Sequence, residues 1–217
     1  MISEQIKFKV GESELSGILE KPRTGASSVI LVLHPHPLDG GDMNNPVVSS
    51  LVNTFLDIDF ATFRFNFRGV NIRSDYDGIP GAVDDATAAL RILEHLGLNL
   101  KGIAGYSFGG STALRFSATN RVDFVVSVSS SLALFQEGAY QATQLARIDC
   151  PVLMIHGASD LTVPLENMND ISTQINGEVK CVSIENEGHF YHHSLTQIQN
   201  EVKLFMKTID INRTHMG

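Results

Sequence analysis

Residues 100–110 read LKGIAGYSFGG, and this stretch decides the fold that we expect for the chain. The apolar run LKGIAG has the composition of a buried strand, and the residues after Ser107 begin a segment with helical spacing. Gly105 and Gly109 lie two residues before and two residues after the serine, as a sharp and crowded turn from strand to helix requires. We therefore expect Ser107 at the carboxyl end of a strand, directly before a helix.

Further apolar runs resemble the one before Ser107. Each is too continuous for a strand with one face in water, so we expect strands that are covered on both faces, as in a parallel sheet. The runs are SVILVLH at 28–34, FATFRFNF at 60–67, VDFVVSVS at 122–129, PVLMIHG at 151–157 and VKCVSIE at 179–185. Residues 5–10 and 15–20, joined by a turn-like segment at 11–14, predict an antiparallel hairpin at the edge of this sheet.

Between the runs lie segments in which apolar residues recur at helical spacing, so that each has one apolar face. These segments are 46–57, 83–96, 109–118, 165–175 and 195–209, the last three with a weaker pattern. Strands that alternate with helices imply βαβ units. The expected fold class is α/β, a mostly parallel twisted β-sheet with helices on both faces and an N-terminal antiparallel hairpin.

One domain over residues 1–217 accounts for a chain of this length. Residues 131–149 have no clean stripe, and they are expected to form either a connecting helix or a small flap. Whether this segment acts as a lid over a site stays open at this stage.

The composition excludes some partners. A formal net charge of −8 is unsuited to nucleic acid or to an anionic membrane surface. The N-terminus lacks the basic and apolar regions of a secretory signal, and no apolar stretch reaches about 18 residues. Cys150 and Cys181 lie in strand-like apolar surroundings, so we expect buried thiols in a reducing compartment. The predicted location is the cytoplasm.

A serine hydroxyl is a weak nucleophile near neutral pH, so Ser107 needs a base, and the base needs a carboxylate to orient it. Asp160 follows the run at 151–157 and His189 follows the run at 179–185, so each lies in a loop after a strand. The chain order Ser, Asp, His is the one known for the fold with this serine turn. Asp75 and Glu187 are the next candidates for the acid.

From about residue 28 to residue 209 the chain resembles the α/β-hydrolase superfamily. It also looks like a small, lidless bacterial subfamily of predicted hydrolases, similar to the dienelactone-hydrolase-like and acyl-esterase branches. The resemblance is carried by LHPHPLDGG at 33–41, FRFNFRGV at 63–70, GYSFGG, HGASDLTVP at 156–164 and GHFYHH at 188–193. It implies that Ser107, Asp160 and His189 are catalytic. The chain departs from the pattern at Asn71, where relatives tend to carry glycine, which bears on the shape of that loop.

Two backbone N–H groups are expected to stabilise an oxyanion. The first belongs to Phe108, which begins the helix after the serine. The second should come from the loop after the first parallel strand, where Pro35 and Pro37 lack an N–H. That leaves His36 or Leu38, and the resemblance to relatives with a His-Gly-X loop selects His36.

The histidines show no metal-binding motif such as HExxH, so neither a metal nor a cofactor is expected. The function that we expect is a serine hydrolase that cleaves a small carboxylic ester, thioester or related acyl bond through a covalent acyl-enzyme. A peptidase on the same fold and a non-catalytic binding protein are the alternatives. The expected partner is a small-molecule acyl substrate, and homodimer formation stays open.

Overall fold

Eight strands form one sheet in the computed structural model, which describes residues 1–138 and 140–214. In chain order they are β1 (Ile2–Val10), β2 (Ser13–Lys21), β3 (Ser28–Leu33), β4 (Ala61–Phe65), β5 (Asn99–Tyr106), β6 (Phe124–Val128), β7 (Val152–Gly157) and β8 (Val179–Ile184). Their order across the sheet is β1-β2-β4-β3-β5-β6-β7-β8. Strands β3 to β8 pair in parallel, whereas β1 and β2 form the antiparallel hairpin at one edge. The α/β class and the N-terminal hairpin are thus confirmed.

Helices cover both faces of the sheet. They are α1 (Pro46–Asp57), α2 (Gly78–His95), α3 (Phe108–Ser117), α4 (Leu132–Phe135), α5 (Glu166–Ser172) and α6 (Leu195–Thr214). Apolar residues of α1 and α6 pack in one core cluster with Ile30 and Val32 of β3. Leu31 and Leu33, which point to the other face of the same strand, join residues of α2, α3 and α5 in a second cluster. Two buried faces explain why the parallel strands are apolar at nearly every position.

The strand β8 differs from the expectation that every apolar run is covered on both faces. It is the last strand of the sheet, so only one neighbour flanks it, and Cys181 and Ser183 are exposed. Cys150 is half-buried. The prediction of two buried thiols is therefore wrong for Cys181, because an edge strand leaves part of its surface in water.

Helix α2 begins at Gly78, earlier than the predicted start at residue 83. The amide of Ile79 donates to the Glu137 carboxylate at 2.8 Å, and these residues are 58 positions apart in the chain. A carboxylate from a distant segment thus satisfies one of the N–H groups that a helix leaves unpaired at its start. No local sequence signal announces such a contact.

Residues 131–149 contain α4 and a 3₁₀ helix at Ala142–Arg147. The Arg115 guanidinium of α3 donates to the backbone carbonyl of Glu137 and lies over the Tyr140 ring, 4.2 Å from its centre. These contacts join the described part of the segment to α3. No helix within residues 1–138 and 140–214 has both the length and the apolar composition that crossing a bilayer requires.

Candidate active site

The turn between β5 and α3 holds Ser107 in a strained conformation. Its φ is 56° and its ψ is −115°, a region of backbone conformation that residues other than glycine rarely adopt. A Cβ atom on Gly105 would collide with the backbone of Gly109, and one on Gly109 would collide with the carbonyl of Leu33. The glycines flanking the serine therefore allow the turn to pass close to its neighbours, and the Ser107 amide donates to the backbone carbonyl of Val128, at the end of the neighbouring strand β6, at 2.8 Å.

Three side chains that the sequence singled out come together at the carboxyl ends of the strands. The Ser107 Oγ lies 3.0 Å from the His189 Nε2, and the His189 Nδ1 lies 2.7 Å from the Asp160 Oδ2. All three residues are buried. With the proton on Nδ1, the imidazole donates to the carboxylate and accepts from the hydroxyl. This geometry allows a proton to pass from the serine to the histidine.

The Asp160 carboxylate is held in its charged form. Its Oδ1 accepts from the amides of Thr162 and Val163 at 2.9 and 2.8 Å. Burial raises the pKa of Asp160. The hydrogen bonds from His189 and Val163 lower this pKa by a larger amount, so the net pKa is below its ordinary value. An ionised carboxylate beside Nδ1 stabilises a positive charge on the imidazole.

The other two candidate acids lie elsewhere. Glu187 accepts from the amides of Gly188 and His193 and from the Ser194 hydroxyl. Asp75 accepts from the Ser13 hydroxyl near the tip of the N-terminal hairpin. Neither carboxylate has a hydrogen bond with His189 among the described residues. Glu187 instead ties together the loop that carries the histidine.

Sequence reasoning missed two tyrosines that support this loop. The Tyr106 hydroxyl donates to the backbone carbonyl of His189 at 2.7 Å, and the Tyr191 hydroxyl lies 2.7 Å from the Ser129 Oγ. Burial raises the pKa of both phenols, so both stay protonated. Tyr106 immediately precedes Ser107, and a buried tyrosine commonly finds a partner for its hydroxyl. The sequence could therefore have indicated that Tyr106 forms a hydrogen bond, although it does not identify the acceptor.

The amides of His36 and Leu38, in the loop after β3, differ in whether they have a hydrogen-bond acceptor. The Leu38 amide donates to the His36 Nδ1 at 3.2 Å, and the His36 Nε2 lies 3.0 Å from the Tyr76 hydroxyl. Within residues 1–138 and 140–214 the His36 amide has no hydrogen-bond acceptor. Phe108 begins α3, so its N–H belongs to the helix-terminal groups that lack an intrahelical acceptor.

Two further histidines near the strand ends are buried and take part in hydrogen bonds with the backbone. Burial lowers the pKa of His34 to about 4, while its Nδ1 donates to the Pro35 carbonyl at 2.6 Å and its Nε2 accepts from the Phe67 amide at 3.0 Å. Burial also lowers the pKa of His156, whose Nε2 donates to the Val163 carbonyl. No group of three or more His, Cys, Asp or Glu side chains is arranged as metal ligands in the described part of the chain.

Ser107 and His189 line an open pocket of about 360 Å³. The remaining lining residues come from the loop after β3, the end of β5 and the loops after β7 and β8: Pro35, His36, Asp39, Gly40, Gly41, Asn45, Tyr106, Thr162 and Phe190. A larger pocket, of about 440 Å³, lies between the tip of the hairpin and residues 67–75. It contains neither the serine nor the histidine, so the smaller pocket is the candidate site.

Comparison with known proteins finds relatives that share the part of the chain containing Ser107, Asp160 and His189. The sequence model of the dienelactone hydrolase family matches residues 77–201, which is more than half of the chain and includes the serine turn and both loops. The chain is similar to an uncharacterised protein of Rickettsia prowazekii, with 27% identity over 220 residues, which cover 97% of this chain and 92% of that protein.

Two solved structures share the architecture. An α/β serine hydrolase homologue from Coxiella burnetii is 31% identical, with a TM-score of 0.80 and with 94% of this chain and 96% of that chain covered. A Xanthomonas campestris protein, described as an α/β serine hydrolase without a lid, is 21% identical, with a TM-score of 0.81 and coverage of 95% and 94%. At that identity the second likeness concerns the fold alone.

Proposed function

The chain belongs to the dienelactone hydrolase family and is a hydrolase of the α/β type, and on that premise we propose that it is a serine hydrolase acting on small carboxylic esters. Ser107 is the proposed nucleophile, His189 the general base and Asp160 the residue that orients the histidine. The observation that carries the proposal is the unbroken hydrogen-bond chain Ser107–His189–Asp160, with distances of 3.0 and 2.7 Å.

The reaction follows from this chain of contacts. The Ser107 Oγ attacks the carbonyl carbon of the ester while the His189 Nε2 accepts the hydroxyl proton, and Asp160 stabilises the imidazolium that forms. The imidazolium then gives its proton to the departing alkoxide. The alcohol leaves, and the acyl group remains bound to the Ser107 Oγ. In the second half, His189 takes a proton from the water that attacks the acyl-enzyme, and the imidazolium then returns this proton to the Ser107 Oγ as the carboxylic acid is released.

Negative charge develops on the carbonyl oxygen in both halves. The amides of Phe108 and His36 are the proposed donors to it, because Phe108 directly follows the nucleophile and His36 lines the same pocket. Leu38 is the weaker candidate, since its amide already donates to the His36 ring. The φ of His36 is −54° and prolines lie on either side, so little backbone freedom is lost when the amide binds an oxyanion.

The proposed substrate size rests on the pocket. A volume of about 360 Å³ is at the small end of the range for ligand sites, and the pocket opens directly to solvent. It suits a compact acyl compound, either an ester or a thioester. A peptidase and a non-catalytic binding protein are outcomes that the following test distinguishes.

The test combines a rate and a covalent label. The purified protein is assayed on p-nitrophenyl esters and acyl-CoA thioesters of graded chain length, and is separately treated with a fluorophosphonate probe. We expect turnover of short esters and labelling at Ser107. Ser107→Ala should abolish both, whereas Ser159→Ala, which changes an exposed serine next to Asp160, should keep both.

Three results would contradict the proposal. Absence of label and of turnover in a folded protein would indicate a binding protein. Labelling combined with cleavage of peptides, but not of esters or thioesters, would indicate a peptidase. Ester turnover that persists in Ser107→Ala would remove the serine from its proposed role.

A further inference from the structure

The pocket at Ser107 has an uneven distribution of charge. Among the described residues that line it there is no lysine or arginine, and the carboxylate of Asp39 is their one acidic side chain. Asp39 lies in the short 3₁₀ helix after β3, and 81% of its side chain is exposed. A negative charge therefore stands in water at the mouth of the pocket.

The strand order fixes where this charge lies relative to the reacting atoms. Strand β5, which ends before Ser107, is flanked by β3 on one side and by β6 and β7 on the other. The loop with Asp39 follows β3, while the loop with His189 and Phe190 follows β8. The pocket thus has an acidic flank on the β3 side and an apolar flank on the β8 side, where Phe190 is 65% exposed.

Little neutralises the acidic flank. The ion-pair contact of Asp39 within the described residues is with the His36 Nδ1 at 3.5 Å, and that same nitrogen accepts from the Leu38 amide, as a neutral ring does. Arg73 donates to the Leu38 carbonyl at 3.1 Å, but it is not among the residues that line the pocket, and within the described residues it makes no ion pair with Asp39. The chain as a whole carries a formal charge of −8, which adds to the negative potential.

We propose that the site selects neutral and cationic acyl compounds over those that carry a carboxylate, and that Asp39 sets this selectivity. The inference rests on the proposed ester hydrolysis and specifies its substrate class. An anion that enters the pocket approaches the Asp39 carboxylate without a lysine or arginine to receive it, whereas a cation gains a partner. Because Asp39 is exposed, water and salt screen the effect, so it should be modest and dependent on ionic strength.

The test uses esters with the same methylene spacer and a different charge at its end. One series varies the acyl group on a phenyl ester: 4-trimethylammoniobutyrate, its uncharged isostere 5,5-dimethylhexanoate, and the monoester of glutarate. A second series varies the alcohol of a butyrate ester: choline, 3,3-dimethylbutanol and 3-hydroxypropanoate. Values of kcat/KM are measured at about 10 mM and about 1 M salt, where the Debye lengths are about 30 and 3 Å, with Ser107→Ala as the blank.

In at least one series we expect the cationic ester to exceed the anionic one by about tenfold in kcat/KM at low salt, and the ratio to shrink at high salt. Asp39→Asn should reduce this ratio by about threefold or more. Asp84→Asn is the matched control, because it removes the same charge from an exposed position on α2 that does not line the pocket, and it should leave the ratio unchanged.

The outcomes separate this inference from the function on which it rests. Hydrolysis of the neutral esters without charge preference in either series, or a ratio that Asp39→Asn and Asp84→Asn change equally, would overturn the role of Asp39 while leaving the esterase intact. Failure to hydrolyse any ester, neutral ones included, would overturn the proposed function and this inference together.

Discussion

The amide of Leu38 donates to the Nδ1 of His36 at 3.2 Å. This contact engages one of the two amides that the loop after β3 could offer to an oxyanion, and it also orients the imidazole, whose Nε2 lies 3.0 Å from the Tyr76 hydroxyl. Burial raises the pKa of Tyr76 to about 12, so the phenol is protonated and able to take part in this contact. The His36 side chain thus has its own partners, while its amide has no acceptor among the residues that the structure describes.

Substitution of the amide itself tests this assignment. We expect His36→Pro to lower kcat by about 10²–10³, because it removes one oxyanion donor. The φ of His36 is −54°, which a proline ring can adopt. His36→Ala keeps the amide and loses only the ring contacts, so it should lose about tenfold or less. Rates are measured beside thermal stability and labelling of Ser107, and a stable His36→Pro protein with full kcat would transfer the donor role to Leu38.

The second prediction concerns the carboxylate beside His189. Asp160→Asn should keep the fold but strand the imidazole in the wrong tautomer, at a cost of about 10⁴ in kcat by analogy with the protease triad. Glu187→Gln should instead lower stability, because an amide oxygen and an amide nitrogen cannot accept all three hydrogen bonds that the carboxylate receives. Steady-state kinetics and thermal melts of both variants separate the two roles. A loss of less than tenfold in Asp160→Asn would reassign the acid.

The third prediction concerns Tyr106, which holds the His189 loop through a backbone carbonyl. Tyr106→Phe leaves this buried carbonyl without its donor, and we expect a loss of about 1–3 kcal/mol in the free energy of unfolding. We also expect a fall in kcat of up to about tenfold, with KM little changed, because the loop positions the base rather than the substrate.

Tyr140→Phe provides the matched control for Tyr106→Phe. Its buried hydroxyl has no hydrogen-bond partner within the described residues, so its removal should cost no stability. Chemical denaturation of both variants gives the comparison. Equal free energies of unfolding for the two would show that the contact of Tyr106 with His189 contributes nothing.

The fourth prediction is a pH dependence of stability that comes from His34. Burial lowers its pKa to about 4, whereas in the unfolded chain a histidine titrates near its ordinary value of about 6.5. Between these values the unfolded state binds a proton that the folded state does not. The free energy of unfolding should therefore fall as the pH drops from about 6.5 to 4, by up to about 1.4 kcal/mol per pH unit from this residue.

Denaturation at several pH values checks this contribution. His34→Gln should make the slope shallower over the same window, although the variant is less stable at every pH because the ring bridges Pro35 and Phe67. His95→Gln, which removes an exposed histidine at the end of α2, is the control. Equal slopes in the two variants would argue against a neutral buried His34.

The sequence by itself predicted the strands and most helices, because the signals are local. A parallel strand that is covered on both faces must be apolar at successive positions, so the runs before Ser107 and Asp160 are legible without a structure. Helix α1 begins and ends at the predicted residues. The start of α2 could not be predicted, since the glycines and proline at 78–81 resemble a loop and Glu137 binds the helix N-terminus from a distant segment.

The features of the candidate site also fall into those that the sequence determined and those that only the tertiary structure decided. The sequence determined the serine turn, because only glycine fits the crowded positions around it, and the chain order of serine, acid and histidine. Only the tertiary structure decided that Asp160, rather than Glu187, contacts His189, that Leu38 donates to the His36 ring, and that Asp39 stands at the mouth of the pocket. Those facts depend on side-chain geometry and on loops that the sheet order brings together, such as those at positions 107 and 189, which are 82 residues apart. Local periodicity cannot encode such distances, because they are set by how the strands pack.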